Sequence, residues 1–243
     1  MPKFFFDPRA IRDGVVTLDG ENARHLIRVL RIKEGDGLIL CDGEAFDYDA
    51  TVKSVSKDSL EAYLIKKYEN PAEPETKITL FQGLPKGDKL SYIVEKAVEA
   101  GVCEIAPVLL KRSVARIGKK DFAKKADRYR KIAESAAKQS NRGVIPTVSA
   151  LHGLDEVITR KDAFDLLLMP YECEKEHSLK NALMSCPDAK NIAVIIGPEG
   201  GFDGEEAQLL TKAGFRSVSL GTRILRTETA GIASIFQILY EYE

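Results

Sequence analysis

The sequence predicts an α/β fold built from two unequal units, and three observations carry that prediction. The chain of 243 residues is longer than a typical single domain of about 150 residues. Short β-branched stretches divided by turn residues fill roughly the first 70 positions, whereas strand-like apolar runs alternate with helical patterns from Lys77 onwards. Hydrophobic residues make up 44% and charged residues 30% of the chain, which is typical of a folded globular protein.

The first unit is predicted to be a small β-rich domain with one helix at about residues 21–29. Its strand-like stretches are residues 14–18, 37–41, 45–55 and 60–65. Residues 69–75 contain two prolines and no apolar face, which is typical of a linker. We therefore expect one domain at residues 1–72 and a second at residues 73–243.

The second unit should contain a mostly parallel sheet covered by helices on both faces, because strands alternate with helices along the chain. Gly101 and Gly214 follow predicted helices, where a left-handed residue is favoured, and Asp203 with Glu206 fits a capping box. The predicted strands are residues 78–82, 104–110, 165–170, 192–196 and 216–220. The predicted helices are residues 88–100, 121–141, 178–186, 204–213 and an apolar last helix at 228–240.

Several classes of protein are excluded by simple counts. Apolar runs such as residues 191–196 and 232–240 stop short of the roughly 18 residues that cross a bilayer, so we expect no membrane contact. The start, MPKFFFDPRA, does not fit an export signal, and the four cysteines form no CxxC pair, so a cytoplasmic protein with reduced thiols is expected. The three histidines are far apart in sequence, and no metal site is expected.

Charge is distributed unevenly along the chain. The net charge is −1, yet residues 74–150 carry a net charge of +8 between two acidic segments. Residues 111–131 hold ten cations against Asp121 and Asp127: Lys111, Arg112, Arg116, Lys119, Lys120, Lys124, Lys125, Arg128, Arg130 and Lys131. Clustered cations favour a phosphate backbone, because each contact releases condensed counterions. The pattern indicates a nucleic acid partner, with a solvated helix face as the alternative.

Two loops at predicted strand ends are candidate ligand sites, since α/β sheets bind ligands at that edge. The sequence IIGPEGGFD at residues 195–203 has three glycines that would let the backbone approach a ligand closely, with a plain turn as the alternative. It matches neither a P-loop nor the G-x-G-x-x-G fingerprint. The sequence LGTRILRTETAG at residues 220–231 places two arginines and three threonines before the apolar helix. Buried polar groups need specific partners, so we expect a ligand or an interface there.

Taken together, the motifs of this chain resemble those of the ribosomal RNA uridine-N3 methyltransferases of RsmE type, across essentially its whole length. The motifs are HLIRVLRIKEGD at residues 25–36, QGLPKGDKLSYIVEKAVEAGV at 82–102, KRS at 111–113, AAKQSNRGVIP at 136–146, IIGPEGGF at 195–202 and LGTRILRTETA at 220–230. The resemblance implies a PUA-like β-barrel followed by a SPOUT-type α/β domain with a deep trefoil knot. A homodimer through the apolar last helix is expected as well.

The resemblance also implies a cofactor, S-adenosylmethionine, held by three loops at residues 169–172, 197–201 and 220–226. Carried over residue by residue, the cofactor-binding residues are Met169, Pro170, Gly197, Pro198, Glu199, Gly200, Gly201, Leu220, Gly221, Ile224, Leu225, Arg226, Thr229 and Ala230. The reaction would methylate N3 of a specific uridine in 16S ribosomal RNA. Because the imide proton must leave, a donor that stabilises the resulting anion should accelerate the reaction. Arg226 is the candidate for that role, and Glu199 is the candidate base.

The expected partner is 16S ribosomal RNA or the small ribosomal subunit. Candidate RNA contacts are Arg9, His25, Arg28, Lys86, Arg112, Lys124, Lys125, Arg128, Gln139, Asn141 and Arg142. The alternative is a catalytically inactive RNA-binding assembly factor of the same fold, which would keep the basic face and lose the glycine loop. A dinucleotide-dependent oxidoreductase would need a glycine fingerprint that this sequence lacks.

Overall fold

The computed structural model describes residues 3–115 and 117–243, which divide into two compact units. The first unit ends at Glu73 and also takes in Ala137–Ile145, and the second comprises Pro74–Ala136 and Pro146–Glu243. The predicted second domain, residues 73–243, includes Ala137–Ile145, which begins within the last turn of the long basic helix. Arg116, one of the ten clustered cations, lies outside the described residues.

A mixed sheet forms the first unit. Its strands are β1 (Lys3–Phe5), β2 (Ile11–Arg12), β3 (Val15–Leu18), β4 (Gly37–Cys41), β5 (Phe46–Val55) and β6 (Leu60–Glu69), in the order β1-β4-β5-β6-β3-β2. Strands β1 and β4 are parallel, and the other neighbours are antiparallel. Alternate residues of these strands face an apolar core that includes Val16, Leu38, Leu40 and Leu60.

The predicted helix of the first unit is α1 (Gly20–Arg24), which continues as a π-helical turn, His25–Val29. The wide turn is closed by a bond from the Leu30 amide to the His25 carbonyl. Leu26 is buried within this turn, whereas His25 and Arg28 remain exposed. The helix therefore presents cationic side chains on one face, while Leu26 and the partly buried Ile27 pack on the core of the sheet.

A parallel sheet forms the second unit, as the alternation of strands and helices predicts. Its strands are β7 (Lys77–Gly83), β8 (Glu104–Leu109), β9 (Thr147–Val148), β10 (His152–Gly153), β11 (Leu166–Pro170), β12 (Asn191–Ile196) and β13 (Arg216–Val218). The order is β10-β8-β7-β12-β11-β13, with β9 also paired to β8. Strands β7, β11 and β12 are buried along nearly their whole length, as expected of a sheet that is covered on both faces.

Helices α2 (Lys89–Glu99), α3 (Lys119–Gln139), α4 (Leu154–Thr159), α5 (Leu179–Met184), α6 (Gly204–Lys212) and α7 (Thr227–Tyr242) connect or follow these strands. The capping box of α6 is present, and Gly101 and Gly214 have the positive φ expected at helix ends. The last helix, α7, packs on α2 and α5 and on strands β7 and β12. Among residues 3–115 and 117–243, no helix combines the length and apolar character that a bilayer span requires.

Candidate functional site

The carboxyl ends of four neighbouring strands, β7, β12, β11 and β13, meet at one edge of the parallel sheet. Ile196 at the end of β12 pairs with Gln82 of β7, and Pro170 at the end of β11 pairs with Val218 of β13. The loops that follow these strands therefore lie close together. This is the edge at which an open α/β sheet binds its ligands.

A pocket opens between the loops that follow β11 and β13. The lining residues are Pro170, Tyr171, Glu172, Glu174, Ser219, Leu220, Gly221, Thr222, Arg223, Ile224, Leu225 and Ala230. The Glu174 carboxylate accepts hydrogen bonds from the backbone amides of Glu176 and His177. Glu172, by contrast, lines the pocket and forms no ion pair with any described residue, and its carboxylate lies against Gly201.

Met169 lies beside this pocket without contributing to its surface. Its side chain is 1% exposed and packs with Ile195 and Phe202 in the core, because the residue still belongs to strand β11. The structure therefore brings no side chain of Met169 to the pocket, and its contact with a cofactor stays a prediction. Tyr171 and Glu172 form that part of the wall instead.

The glycine loop at residues 197–201 packs closely against neighbouring protein groups. A Cβ on Gly200 would lie 3.0 Å from the Cβ of Arg112, whose guanidinium donates to the Gly200 carbonyl at 3.1 Å. Gly201 has a φ of +67°, and the carboxylate of Glu172 occupies the place where its Cβ would be. The positive φ favours glycine at position 201, and the close approach of Arg112 favours glycine at position 200.

Two residues that the sequence did not single out, Gln82 and Thr227, form a chain of hydrogen bonds that ends at the glycine loop. Gln82, at the end of β7, donates to the Thr227 hydroxyl at 2.9 Å, and that hydroxyl donates to the Gly197 carbonyl at 2.6 Å. Gly83 approaches the same loop so closely that a Cβ would lie 2.6 Å from the Pro198 nitrogen. The sequence does contain a signal for Gln82: it is a polar residue at the end of a predicted strand that is mostly apolar, and a buried polar group needs a specific partner.

Glu199, the predicted base, takes part in a charge cluster. Its carboxylate accepts from the Lys86 amide at 3.1 Å and pairs with Lys89 at 3.0 Å, and Lys89 also reaches Glu228 at 3.4 Å. Burial raises the pKa of Glu199, but hydrogen bonds from its own amide, from Lys89 and from the Lys86 amide outweigh burial and hold the pKa below its ordinary value. A carboxylate with a lowered pKa is a weak proton acceptor near neutral pH, so the geometry does not favour Glu199 as the base.

Arg226 occupies the N-cap position of α7 with extended backbone. Its side chain is exposed and is neither hydrogen-bonded nor ion-paired to any residue that the structure describes. Thr229, one turn further on, lines a second, open cavity of about 1000 Å³ together with Lys89, Tyr92, Glu228, Ile232 and Ala233. An unpaired guanidinium beside a pocket is free to meet an anionic group.

The basic face of α3 is exposed, as the sequence predicts. Lys124 and Arg128 form ion pairs with Asp121 and Asp88 at 2.8 and 3.2 Å, and Lys125 lies on the same exposed face. The opposite face buries Phe122 and Tyr129, whose rings stack 5.6 Å apart. Surface ion pairs of this kind are weak, so these cations remain available to phosphate groups.

In the first unit, five of the predicted RNA contacts are exposed. Arg9 and Arg28 are exposed and pair with Asp7 and Asp58 at 2.8 and 3.2 Å. His25 is exposed, and its ring lies 5.8 Å from that of Phe4. Gln139 and Asn141 are exposed as well, although the Asn141 carbonyl accepts from Lys3 and Asn70.

Arg142 does not reach the surface. Its side chain is 3% exposed and pairs with Glu73 at 2.9 Å, and the same carboxylate also accepts from the Gly143 and Val144 amides. The structure therefore places the guanidinium of Arg142 in a buried ion pair, and its contact with RNA stays a prediction. No group of histidine, cysteine or acidic side chains within residues 3–115 and 117–243 is arranged to hold a metal ion.

Comparisons with known proteins identify the family. The RNA methyltransferase domain family matches residues 72–239, and the RNA methyltransferase PUA domain family matches residues 18–64. Ribosomal RNA small subunit methyltransferase E of Bacillus subtilis (strain 168) is 35% identical, covering 93% of this chain and 90% of its own length. The protein of the same name from Mesomycoplasma hyopneumoniae (strain 232) is 33% identical over 85% of this chain and 86% of its own length.

A solved structure agrees with these matches. Ribosomal RNA small subunit methyltransferase E from Neisseria gonorrhoeae, bound to S-adenosyl methionine, is 32% identical. It superposes with a TM-score of 0.84 and covers 99% of this chain and 97% of its own chain. This chain therefore belongs to the ribosomal RNA small subunit methyltransferase E family, with a PUA-like first domain and a SPOUT-type methyltransferase domain.

Proposed function

We propose that this chain transfers a methyl group from S-adenosylmethionine to N3 of a specific uridine in 16S ribosomal RNA of the small ribosomal subunit. The observation that carries the proposal is the pocket between the loops that follow β11 and β13. Its relatives are named as methyltransferases of small-subunit ribosomal RNA, and one of them was solved with the cofactor bound.

The pocket suits this cofactor by its apolar surface and by its charge. Ile224 and Leu225 offer apolar surface to a purine ring, and the Glu172 carboxylate complements a cationic ligand. We propose that these residues, with Pro170, Leu220, Gly221 and Ala230, hold the cofactor. When bound, S-adenosylmethionine supplies a methyl group on a positively charged sulfonium.

Arg226 is proposed to stabilise the anionic uracil. When the imide proton passes to solvent water, negative charge is left shared between O2 and O4, and a guanidinium can donate two hydrogen bonds to such an anion. Arg226 cannot serve as the base, because a guanidinium keeps its proton. Its exposure and its lack of a paired carboxylate among the described residues leave it free for this task. Glu199 is proposed to fix the glycine loop through Lys89.

RNA binding is proposed for the exposed face of α3. Lys124, Lys125 and Arg128 would contact phosphates, since clustered cations gain affinity through counterion release. The other proposed contacts keep their exposed positions; they are Arg9, His25, Arg28, Lys86, Arg112, Gln139 and Asn141.

We also propose a homodimer in the cytoplasm and a trefoil knot in the second domain. Phe236 and Tyr240 of α7 are 56% and 88% exposed, beside an open groove of about 870 Å³ that Leu179 and Leu183 help to line. Large exposed apolar side chains on one helix favour a partner subunit. Sedimentation should give a dimer for the wild type and a monomer for Phe236→Glu, and a monomeric wild type at micromolar concentration would refute this interface.

The proposed function is tested with purified protein, radiolabelled S-adenosylmethionine and two substrates. One is 16S ribosomal RNA transcribed in vitro, and the other is small subunits purified from cells that lack the gene. Label should enter at least one substrate, and nucleoside analysis should identify 3-methyluridine. A protein that binds no S-adenosylmethionine by calorimetry, or that labels neither substrate, would contradict the proposal.

A further inference from the structure

A chain of two hydrogen bonds links strand β7, helix α7 and the glycine loop. The Gln82 side chain is 0% exposed, and its nitrogen donates to the Thr227 hydroxyl at 2.9 Å and to the Gly83 carbonyl at 3.1 Å. Thr227 is 6% exposed, and its hydroxyl donates to the Gly197 carbonyl at 2.6 Å. Because a hydroxyl has a single proton, the bond accepted from Gln82 directs that proton towards Gly197.

The sequence of α7 makes room for this buried amide. A Cβ on Gly231 would lie 3.2 Å from the Gln82 side-chain oxygen, so only glycine leaves this space open without displacement. The same oxygen has no hydrogen-bond partner among the residues that the structure describes. An unpartnered buried acceptor destabilises the fold. A buried glutamine at the end of an apolar strand therefore serves a purpose other than stability.

We propose that Gln82 and Thr227 are positioning residues that preorganise the cofactor site. They fix the position of Gly197 relative to Thr227, the first residue of α7. Thr227 directly follows Arg226 and the loop that lines the pocket. The two loops are thereby fixed relative to each other before any ligand binds, which removes an ordering cost from binding. This inference rests on the proposed function, because it concerns the affinity for S-adenosylmethionine.

The test compares three variants by calorimetry with S-adenosylmethionine. Thr227→Val removes the hydroxyl and keeps the shape, Thr227→Ser keeps the hydroxyl, and Thr79→Val is the matched control. Thr79 lies on the same strand as Gln82, is 5% exposed, and donates to Glu104 rather than to a loop of the site. We expect Thr227→Val to weaken binding about tenfold or more, and the other two variants to stay within about threefold of the wild type.

Thermal unfolding of each variant separates positioning from stability. Wild-type affinity in Thr227→Val would overturn the inference, and so would an equal loss in Thr79→Val at an equal drop in Tm. Should Thr227→Val fail to fold, Gln82→Met removes the amide and leaves the Thr227 hydroxyl. A loss of at least threefold is then expected, and wild-type affinity would overturn the inference. If the wild type itself binds no S-adenosylmethionine, the proposed function fails as well, whereas tight wild-type binding with unaffected variants refutes only the positioning role.

Discussion

The ammonium of Lys89 lies 3.0 Å from the carboxylate of Glu199 and 3.4 Å from that of Glu228. It therefore ties the glycine loop to the first turn of α7. The hydrogen bond with Glu199 raises the pKa of Lys89, and the pKa of Glu199 stays below its ordinary value. Both groups therefore remain charged at neutral pH, and the ion pair persists there.

Glu199→Gln tests whether this carboxylate removes the uridine proton. We expect the methyl-transfer rate to fall by less than about tenfold, because a group with a lowered pKa contributes little as a base. The shape of the pH–rate profile above about pH 6 should not change, since Glu199 does not titrate there. Glu228→Gln, which alters the same cluster, is the control. A loss of about a thousandfold in Glu199→Gln alone, together with a missing limb of the profile, would assign the base to Glu199.

The buried pair of Glu73 and Arg142 should make the first unit sensitive to acid. Burial raises the pKa of Glu73, but bonds from Arg142 and from the Val144 and Gly143 amides outweigh burial and hold the pKa below its ordinary value. The stability that this group contributes is therefore present at neutral pH and is lost as the pH falls through the folded-state pKa.

We expect Glu73→Gln to destabilise the protein by about 3–5 kcal/mol at pH 7, because Arg142 is left buried without its partner. The difference in the free energy of unfolding between the variant and the wild type should become smaller below about pH 4.3, the ordinary pKa of glutamate. Urea unfolding measures both effects. Glu75→Gln is the control, since Glu75 is 83% exposed in its pair with Lys190, and it should change stability by less than about 0.5 kcal/mol. Equal stability of wild type and Glu73→Gln at pH 7 would contradict the account.

Local sequence patterns predict much of the fold and little of the side-chain pairing. Strands β7, β11 and β12 follow from apolar runs that are buried on both faces, and the start of α6 follows from its capping box. Strands β1, β2, β9 and β10 and helix α4 were missed, because each of them is only two to six residues long and offers too few repeats of the hydrophobic pattern. The pairs Arg142–Glu73 and Gln82–Thr227 join positions 69 and 145 residues apart, a separation that no local pattern reports.

Charge reversal on α3 tests the RNA-binding face. Replacing Lys124, Lys125 and Arg128 by Glu should weaken RNA binding and flatten its salt dependence, since fewer counterions are released. Unfolding should shift by less than about 1 kcal/mol per ion pair, because these side chains are exposed. Reversal of three exposed lysines elsewhere, Lys161, Lys175 and Lys212, changes the net charge equally and is the control. Equal losses in both triple variants would show that only the overall charge matters.

Arg226→Lys separates binding from chemistry. Lysine keeps the charge but cannot form the paired hydrogen bonds of a guanidinium. We expect cofactor affinity to stay nearly unchanged and the single-turnover rate at saturating RNA and cofactor to fall on the order of 10²-fold. A normal rate with weakened RNA binding would instead assign Arg226 to holding the substrate.

The central claim is the methylation of a uridine at N3 in 16S ribosomal RNA, and nucleoside mass spectrometry of that RNA tests it most directly. The RNA is taken from cells with the gene, from cells without it, and from deleted cells that carry either the wild-type gene or Arg226→Lys. The account predicts 3-methyluridine in the first strain, its loss on deletion, its return with the wild-type gene, and a reduced level with the variant. An unchanged 3-methyluridine content of 16S ribosomal RNA after deletion would contradict it.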